Sequence, residues 1–241
     1  MSFQKSLPQA GVSAAAFLAA RAGRQILEAG GTALEAAVAT AASLAVVYPH
    51  MNSIGGDSFW LIKKKGEAPV GVLACGQAAE RASVDFYETR GLAAVPPRGA
   101  FAAVTVPGTI RGWQALLSLS GHPRRLTLKD ILAPAIESAA NGFPVSPSQE
   151  RTTMVSVDGL RDCPGFAEVF LDEGKLPLKA GVILRQTALA RTLQQLADVG
   201  LDDFTRERSV CRWAGSWPVR AVCWSHLTLK PAELESLSPC I

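Results

Sequence analysis

Residues 48–62, YPHMNSIGGDSFWLI, separate an apolar segment from a strand-like one and determine how the neighbouring elements connect. A catalytic loop, a phosphate cradle and a plain helix-to-strand turn all fit this composition. IGGDS lacks the lysine and hydroxyl residue of a P-loop, and it precedes a strand, whereas a nucleotide loop precedes a helix. The turn is therefore favoured, with Gly55 and Gly56 supplying backbone angles or a close approach that a side chain would forbid.

Two helices are predicted upstream of this turn. Ser13 can cap a helix over residues 14–29, which Gly30 and Gly31 end. Thr32 then begins a second helix and forms a capping box with Glu35. Because residues 33–48 are apolar nearly all round, we expect the second helix to be buried on most sides.

A hairpin and three more helices are predicted downstream. SFWLIKK and GVLACG read as two strands, the first facing the core through Phe59 and Leu61. A strand then meets a Pro-Gly turn at 107–108, and a helix begins at Thr109. Thr127 caps the next helix, which Pro134 kinks or restarts and a glycine at 142 ends. A last helix is predicted over 187–199, and the whole pattern favours a layered α/β (α+β) domain.

The composition of the chain excludes several partners. The 241 residues carry a net charge of only +3 with dispersed basic residues, so we expect no nucleic-acid partner. The longest uncharged apolar segment, 36–48, is too short to span a membrane. Five cysteines without a disulfide-like rhythm favour reduced thiols and the cytoplasm. GVSAAAFLAARAG, at 11–23, leaves a signal peptide as the alternative.

Candidate catalytic and metal-binding residues are each weighed against a structural role. His50 could be a general base and Cys75 a nucleophile, yet no spacing places them within hydrogen-bonding reach, so structural roles are favoured. Cys223 and His226, with Cys211 and Cys240 nearby, are zinc ligands by residue type only. Their spacing fits no compact ligand knuckle. We therefore expect no metal and no cofactor.

Three blocks in order carry a family resemblance. ILEAGGTALEAAVATAASLAVVYPHMNSIGGDSFWLI, then FAAVTVPGTIRGWQALL, then LTLKDILAPAIESAANGFPVS resemble the gamma-glutamyltransferase family of N-terminal-nucleophile (Ntn) hydrolases. The similarity covers about residues 12–204. It implies a four-layer αββα sandwich, incomplete in this chain, and a domain over 1–204 that is part of a large subunit. It also implies a small-molecule gamma-glutamyl or related amide substrate.

The resemblance places the catalytic nucleophile outside this chain. In the family it is the new N-terminal threonine of a small subunit, released by self-cleavage, whose own α-amine serves as base. Thr152 and Thr153 lie far upstream of that processing site. We therefore expect no catalytic residue here, no turnover by the chain alone, and dependence on a C-terminal or small-subunit segment.

A second departure concerns substrate binding. The family's large subunit supplies an arginine that pairs with the α-carboxylate of the glutamyl donor. By the resemblance that position falls on Cys75, and Arg81, six residues further on, is the nearby substitute. A thiol cannot form that ion pair. Together with GGDSFWLI, the cysteine is similar to a subgroup that resembles oxamate amidohydrolase.

The tail, residues 205–241, departs from the family pattern. It holds three of the five cysteines and three of the five tryptophans, without a period of 3.6 or 2. Its Arg, Cys, Trp and Ser are typical of a shifted reading of GC-rich DNA, so we predict a frameshift or premature end near Thr205. Two alternatives to an incomplete enzyme stay open: an inactive chain that serves as a binding module, and independent chemistry at Cys75 or the tail.

Overall fold

The computed structural model describes residues 10–78, 82–102, 105–120, 126–163 and 165–204, and the statements below refer to these residues. The predictions for Arg81, for the four metal-ligand candidates of the tail and for the tail itself concern residues outside these ranges. The helices are α1 (Phe17–Glu28), α2 (Ala33–Val47), α3 (Val84–Glu88), α4 (Thr109–Ser118), α5 (Leu128–Asn141), α6 (Pro147–Leu160), α7 (Phe166–Phe170) and α8 (Thr187–Val199). The strands are β1 (Ser58–Ile62), β2 (Val70–Ala74), β3 (Phe143–Pro144) and β4 (Ile183–Leu184).

Helix α2 is the centre of the molecule. It packs against α1, α4 and α5, and its side chains from Ala36 to Val47 are mostly buried. The predicted capping box is present: Thr32 Oγ1 accepts the Glu35 N–H, and Glu35 Oε2 accepts the Thr32 N–H. The alanines of α2 allow the close helix packing that its composition predicted.

Helix α1 begins later than predicted. Its N-cap is Ala16, in extended backbone and without a side-chain cap, so the assignment of Ser13 as the cap is wrong. Ala19, Ala22 and Ile26 form the buried stripe of α1. The start of α1 is therefore set by its packing against α2 and not by a local side-chain cap.

Helices α4, α5 and α8 complete the core. Trp113 of α4 is fully buried, as are Ile131 and Leu132 of α5 and Leu193 of α8. Helix α5 has the predicted Thr127 cap and runs through Pro134 without interruption, so a restart there is wrong. Core contacts on both sides of the proline hold the helix although one backbone donor is missing.

Strands β1 and β2 form the predicted antiparallel hairpin, with Trp60 opposite Val72. Its orientation is the reverse of the prediction: Phe59 is 67% exposed and Leu61 80% exposed, while Trp60 and Ile62 pack against the helical core. All four consecutive side chains are apolar, so the period of two could not identify the inner face. The outer face, defined by Phe59, Leu61 and Leu73, is bare.

Substitutions on the two hairpin faces should separate solubility from stability. Leu61→Thr is expected to leave the urea midpoint of the chain nearly unchanged and to reduce light scattering, because it removes exposed apolar surface. Ile62→Thr is the matched control on the inner face. It should lower the free energy of unfolding by about 1–2 kcal/mol. An equal loss of unfolding free energy in Leu61→Thr and Ile62→Thr would contradict the orientation of the hairpin.

Other elements differ from the sequence-based expectations in extent. The strand predicted before Pro107 is reduced, in the described residues, to a single bridge between Ala78 and Thr105. The short helices α3 and α7, helix α6 and the β3–β4 pair were not predicted. No described helix is long and apolar enough to cross a membrane.

Candidate functional site

The end of β2 meets two other segments of the chain at one junction. We call the contact between residues 56–57, 74–77 and 105–109 the hairpin junction. The Gly56 carbonyl accepts the N–H groups of Gly108 (3.0 Å) and Thr109 (2.9 Å) and the Thr109 hydroxyl (2.7 Å). Asp57 Oδ1 accepts the N–H of Gly76 at 3.2 Å. The loop before β1 thus holds both the end of β2 and the start of α4.

Two glycines make the junction possible. A Cβ on Gly76 would lie 1.5 Å from the Val106 carbonyl oxygen, and one on Gly108 would lie 2.1 Å from the Ala74 carbonyl oxygen. Main chain packs directly on main chain here, and the Val106 N–H donates to the Gln77 carbonyl. The glycines are needed for close approach, which the turn interpretation had assigned to Gly55 and Gly56 instead.

Cys75 lies in the hairpin junction, directly before Gly76. Its thiol is free and its side chain is exposed. The neighbouring Cys75–Gly76 peptide is held by the Asp57 carboxylate. The Cys75 thiol is therefore exposed to solvent at the hairpin junction, while the hydrogen bond between Gly76 and Asp57 fixes the main chain beside it.

The Asp57 and Thr109 contacts were not predicted. Asp57 bonds to a residue nineteen positions away, and Thr109 bonds across fifty-three positions. The sequence signals that could have identified them are the aspartate directly after Gly-Gly and the threonine directly after Pro-Gly. Neither signal predicts which residue the side chain contacts, because both contacts are long-range.

His50 does not act on Cys75 in this arrangement. Both ring nitrogens of His50 are buried and lack a hydrogen-bond partner in the described part of the chain. The ring packs against Tyr48 at a tilt of 59°, with centroids 4.3 Å apart. Residues 49–53 with Gly56 and Asp57 line an open depression of about 530 Å³ beside it. Burial lowers the pKa of His50, which favours the neutral imidazole of a structural histidine.

The lowered pKa of His50 predicts a pH-dependent stability. The unfolded chain binds the proton at a higher pH than the folded chain does, so the unfolding free energy should fall as pH drops below about 6.5. Above that value the effect is absent. His50→Gln should flatten the stability difference between pH 7 and pH 5 in urea titrations. An unchanged slope in His50→Gln would contradict the assignment.

Neither threonine near the end of the third block is placed as a nucleophile. Thr152 and Thr153 lie inside α6, and Thr153 is only 8% exposed. Neither therefore presents the free α-amine that the family's threonine uses. Among the described residues, no group of three or more His, Cys, Asp or Glu side chains could hold a metal ion.

Comparison with known proteins identifies the family of the chain. The sequence profile of the family Gamma-glutamyltranspeptidase matches residues 19–208. The chain is 44% identical over 191 residues to the oxamate amidohydrolase proenzyme of Klebsiella pneumoniae, covering 78% of this chain and 36% of that protein. A glutathione hydrolase-like proenzyme of Bacillus subtilis is 42% identical over 189 residues, covering 78% and 35%. The chain thus spans about a third of these relatives.

Solved structures show the same fold. The gamma-glutamyltranspeptidase of Helicobacter pylori superposes with a TM-score of 0.80 and 25% identity, covering 97% of this chain and 65% of that chain. The enzyme of Pseudomonas nitroreducens, solved with L-DON, gives 0.77 and 27%. The predicted fold class, α/β (α+β) as an incomplete part of the Ntn-hydrolase sandwich, is confirmed. The chain belongs to the gamma-glutamyltranspeptidase family.

Proposed function

We propose that this chain supplies the N-terminal, large-subunit part of an Ntn amide hydrolase whose substrate is a small amide of the oxamate type. The observation that carries the proposal is the 44% identity to the oxamate amidohydrolase proenzyme over 191 residues. The bare outer face of the hairpin supports it, because an apolar sheet face of this kind is normally covered in a sandwich.

The role of the chain is to bind and position the substrate, and a separate segment brings the nucleophile. Cys75 stands where the resemblance places a carboxylate-binding arginine, with Arg81 as the nearby cation. A thiol cannot make the bidentate ion pair of a guanidinium with a carboxylate. Loss of that pair removes recognition of a glutamyl α-carboxylate at this position. The exposed position of the Cys75 thiol at the hairpin junction supports contact with substrate.

The test is to assay the chain alone and with the part of the Klebsiella pneumoniae proenzyme that lies beyond the matched region. Ammonia release from oxamate and p-nitroaniline release from gamma-glutamyl-p-nitroanilide are the two readouts. We expect no turnover by the chain alone and oxamate hydrolysis by the pair. Activity of the chain alone that is lost on Cys75→Ser would overturn the proposal in favour of thiol chemistry.

Substitution of Cys75 tests the assignment of specificity. In the active pair, Cys75→Arg is expected to raise kcat/KM for the gamma-glutamyl anilide relative to oxamate, because it restores a guanidinium for the α-carboxylate. A gain of about tenfold corresponds to the lower part of the range for a charge-assisted hydrogen bond. Cys75→Ser is the control of similar size without a charge and should leave the ratio nearly unchanged.

We also propose a cytoplasmic setting and a change of register in the tail. The free thiols of Cys75 and Cys163 support a reducing compartment. The family match ends at residue 208, four residues beyond the proposed boundary at 204. Translating the neighbouring reading frames downstream of codon 204 tests the frameshift, and the idea fails if neither frame continues the family pattern.

A further inference from the structure

The Cys75–Gly76 peptide is held by a carboxylate from a distant part of the chain. Asp57 Oδ1 accepts the Gly76 N–H at 3.2 Å across nineteen residues. The preceding residue, Gly56, uses its carbonyl to bind the start of α4 through Gly108 and Thr109. Two consecutive residues therefore hold two different segments, and a shift of either segment would move the other.

We propose that Asp57 is a positioning residue that fixes the Cys75–Gly76 main chain, and with it the Cys75 side chain, through this hydrogen bond. The inference rests on the proposed function for its catalytic consequence only. Asp57 acts on Gly76 and contacts no reacting atom. The proposal requires an oxygen acceptor at this position, which holds the Gly76 N–H although Asp57 itself is exposed.

The position of the main chain matters more when a cysteine occupies residue 75 than it would if an arginine there reached the substrate with its guanidinium. A long arginine side chain can adjust to a small displacement of its own backbone, whereas a cysteine side chain is short and follows its main chain. A misplacement of about 1 Å can cost on the order of a hundredfold in rate. Gly76 also packs against the main chain of Val106 so closely that a Cβ would not fit there.

Hydrogen exchange in the 241-residue chain tests the positioning without any activity. The Gly76 amide is expected to exchange at least about fivefold faster in Asp57→Ala, because its acceptor is gone. Asp57→Asn keeps an oxygen acceptor at the same position and should stay near the wild-type rate. The Ile131 amide, which donates to the Thr127 carbonyl at the start of α5 and lies outside the hairpin junction, serves as an internal control of folding. Unchanged exchange at Gly76 in Asp57→Ala would overturn the proposal.

Kinetics in the active pair test the consequence for substrate. Asp57→Ala should raise KM for oxamate several-fold with a smaller change in kcat, and Asp57→Asn should recover most of the loss. Equal impairment in both variants, with normal exchange in Asp57→Asn, would show that the charge acts on substrate directly and would overturn positioning. If the wild-type pair is inactive while Gly76 exchange responds as expected, the proposed function fails and the positioning of the peptide stands.

Discussion

Gly76→Ala is expected to lower the free energy of unfolding by about 3 kcal/mol, one of the two largest effects in this chain. The added Cβ would lie 1.5 Å from the Val106 carbonyl oxygen and 2.4 Å from its carbon. Both are main-chain atoms, so no change of rotamer relieves the overlap. The end of β2 and the segment before α4 must separate, which breaks the contacts of the hairpin junction.

Gly71→Ala is the matched control for this effect. Gly71 lies within β2, the strand that ends just before Gly76, and a Cβ there meets no atom within 4 Å. Its substitution should leave the urea midpoint, followed by tryptophan fluorescence, within about 0.5 kcal/mol of the wild type. Equal loss in the two variants would mean that a general strand effect, and not the contact with Val106, sets the cost.

Glu35→Ala is expected to cost about 3 kcal/mol, because a fully buried carboxylate is removed from two backbone donors. Glu35 is 0% exposed; its Oε2 accepts the Thr32 N–H and its Oε1 accepts the Leu126 N–H. Loss of the side chain leaves these donors without that acceptor in the interior. A buried donor left unsatisfied costs about 1–3 kcal/mol. Loss of the capping box adds to it.

Asp130→Ala isolates the contribution of burial. Asp130 completes the same kind of capping box with Thr127 at the start of α5, but its side chain is exposed. The expected cost is about 1 kcal/mol, the usual value for a helix cap. Urea titrations of both variants at pH 7 give the comparison. A larger loss in Asp130→Ala than in Glu35→Ala would contradict the assignment of Glu35 as a buried bridge.

The sequence predicted what local chemistry decides. The capping box at Thr32, the cap at Thr127 and the helix end at Gly142 depend on residues within one or two turns, and all three are present. The family was recognised from blocks whose order is itself a sequence property. These predictions needed no knowledge of which surfaces meet.

The orientation of the hairpin could not be predicted in the same way. Phe59, Trp60, Leu61 and Ile62 are all apolar, so alternation carries no direction, and the helices behind Trp60 decide it. The same limit applies to the candidate site. Asp57 and Gly76 come within hydrogen-bonding distance only after the hairpin forms, and the order of residues in the sequence does not predict that contact.

The one-sided covering of the hairpin also bears on how the protein is made. Every described helix that packs on its inner face lies before residue 200. Once these residues have left the ribosome, the helical core can form while the outer face of the hairpin is still an exposed apolar surface. While that surface is uncovered, it is open to chaperones and to neighbouring nascent chains. How long it stays uncovered would then set how much of the protein is lost to aggregates.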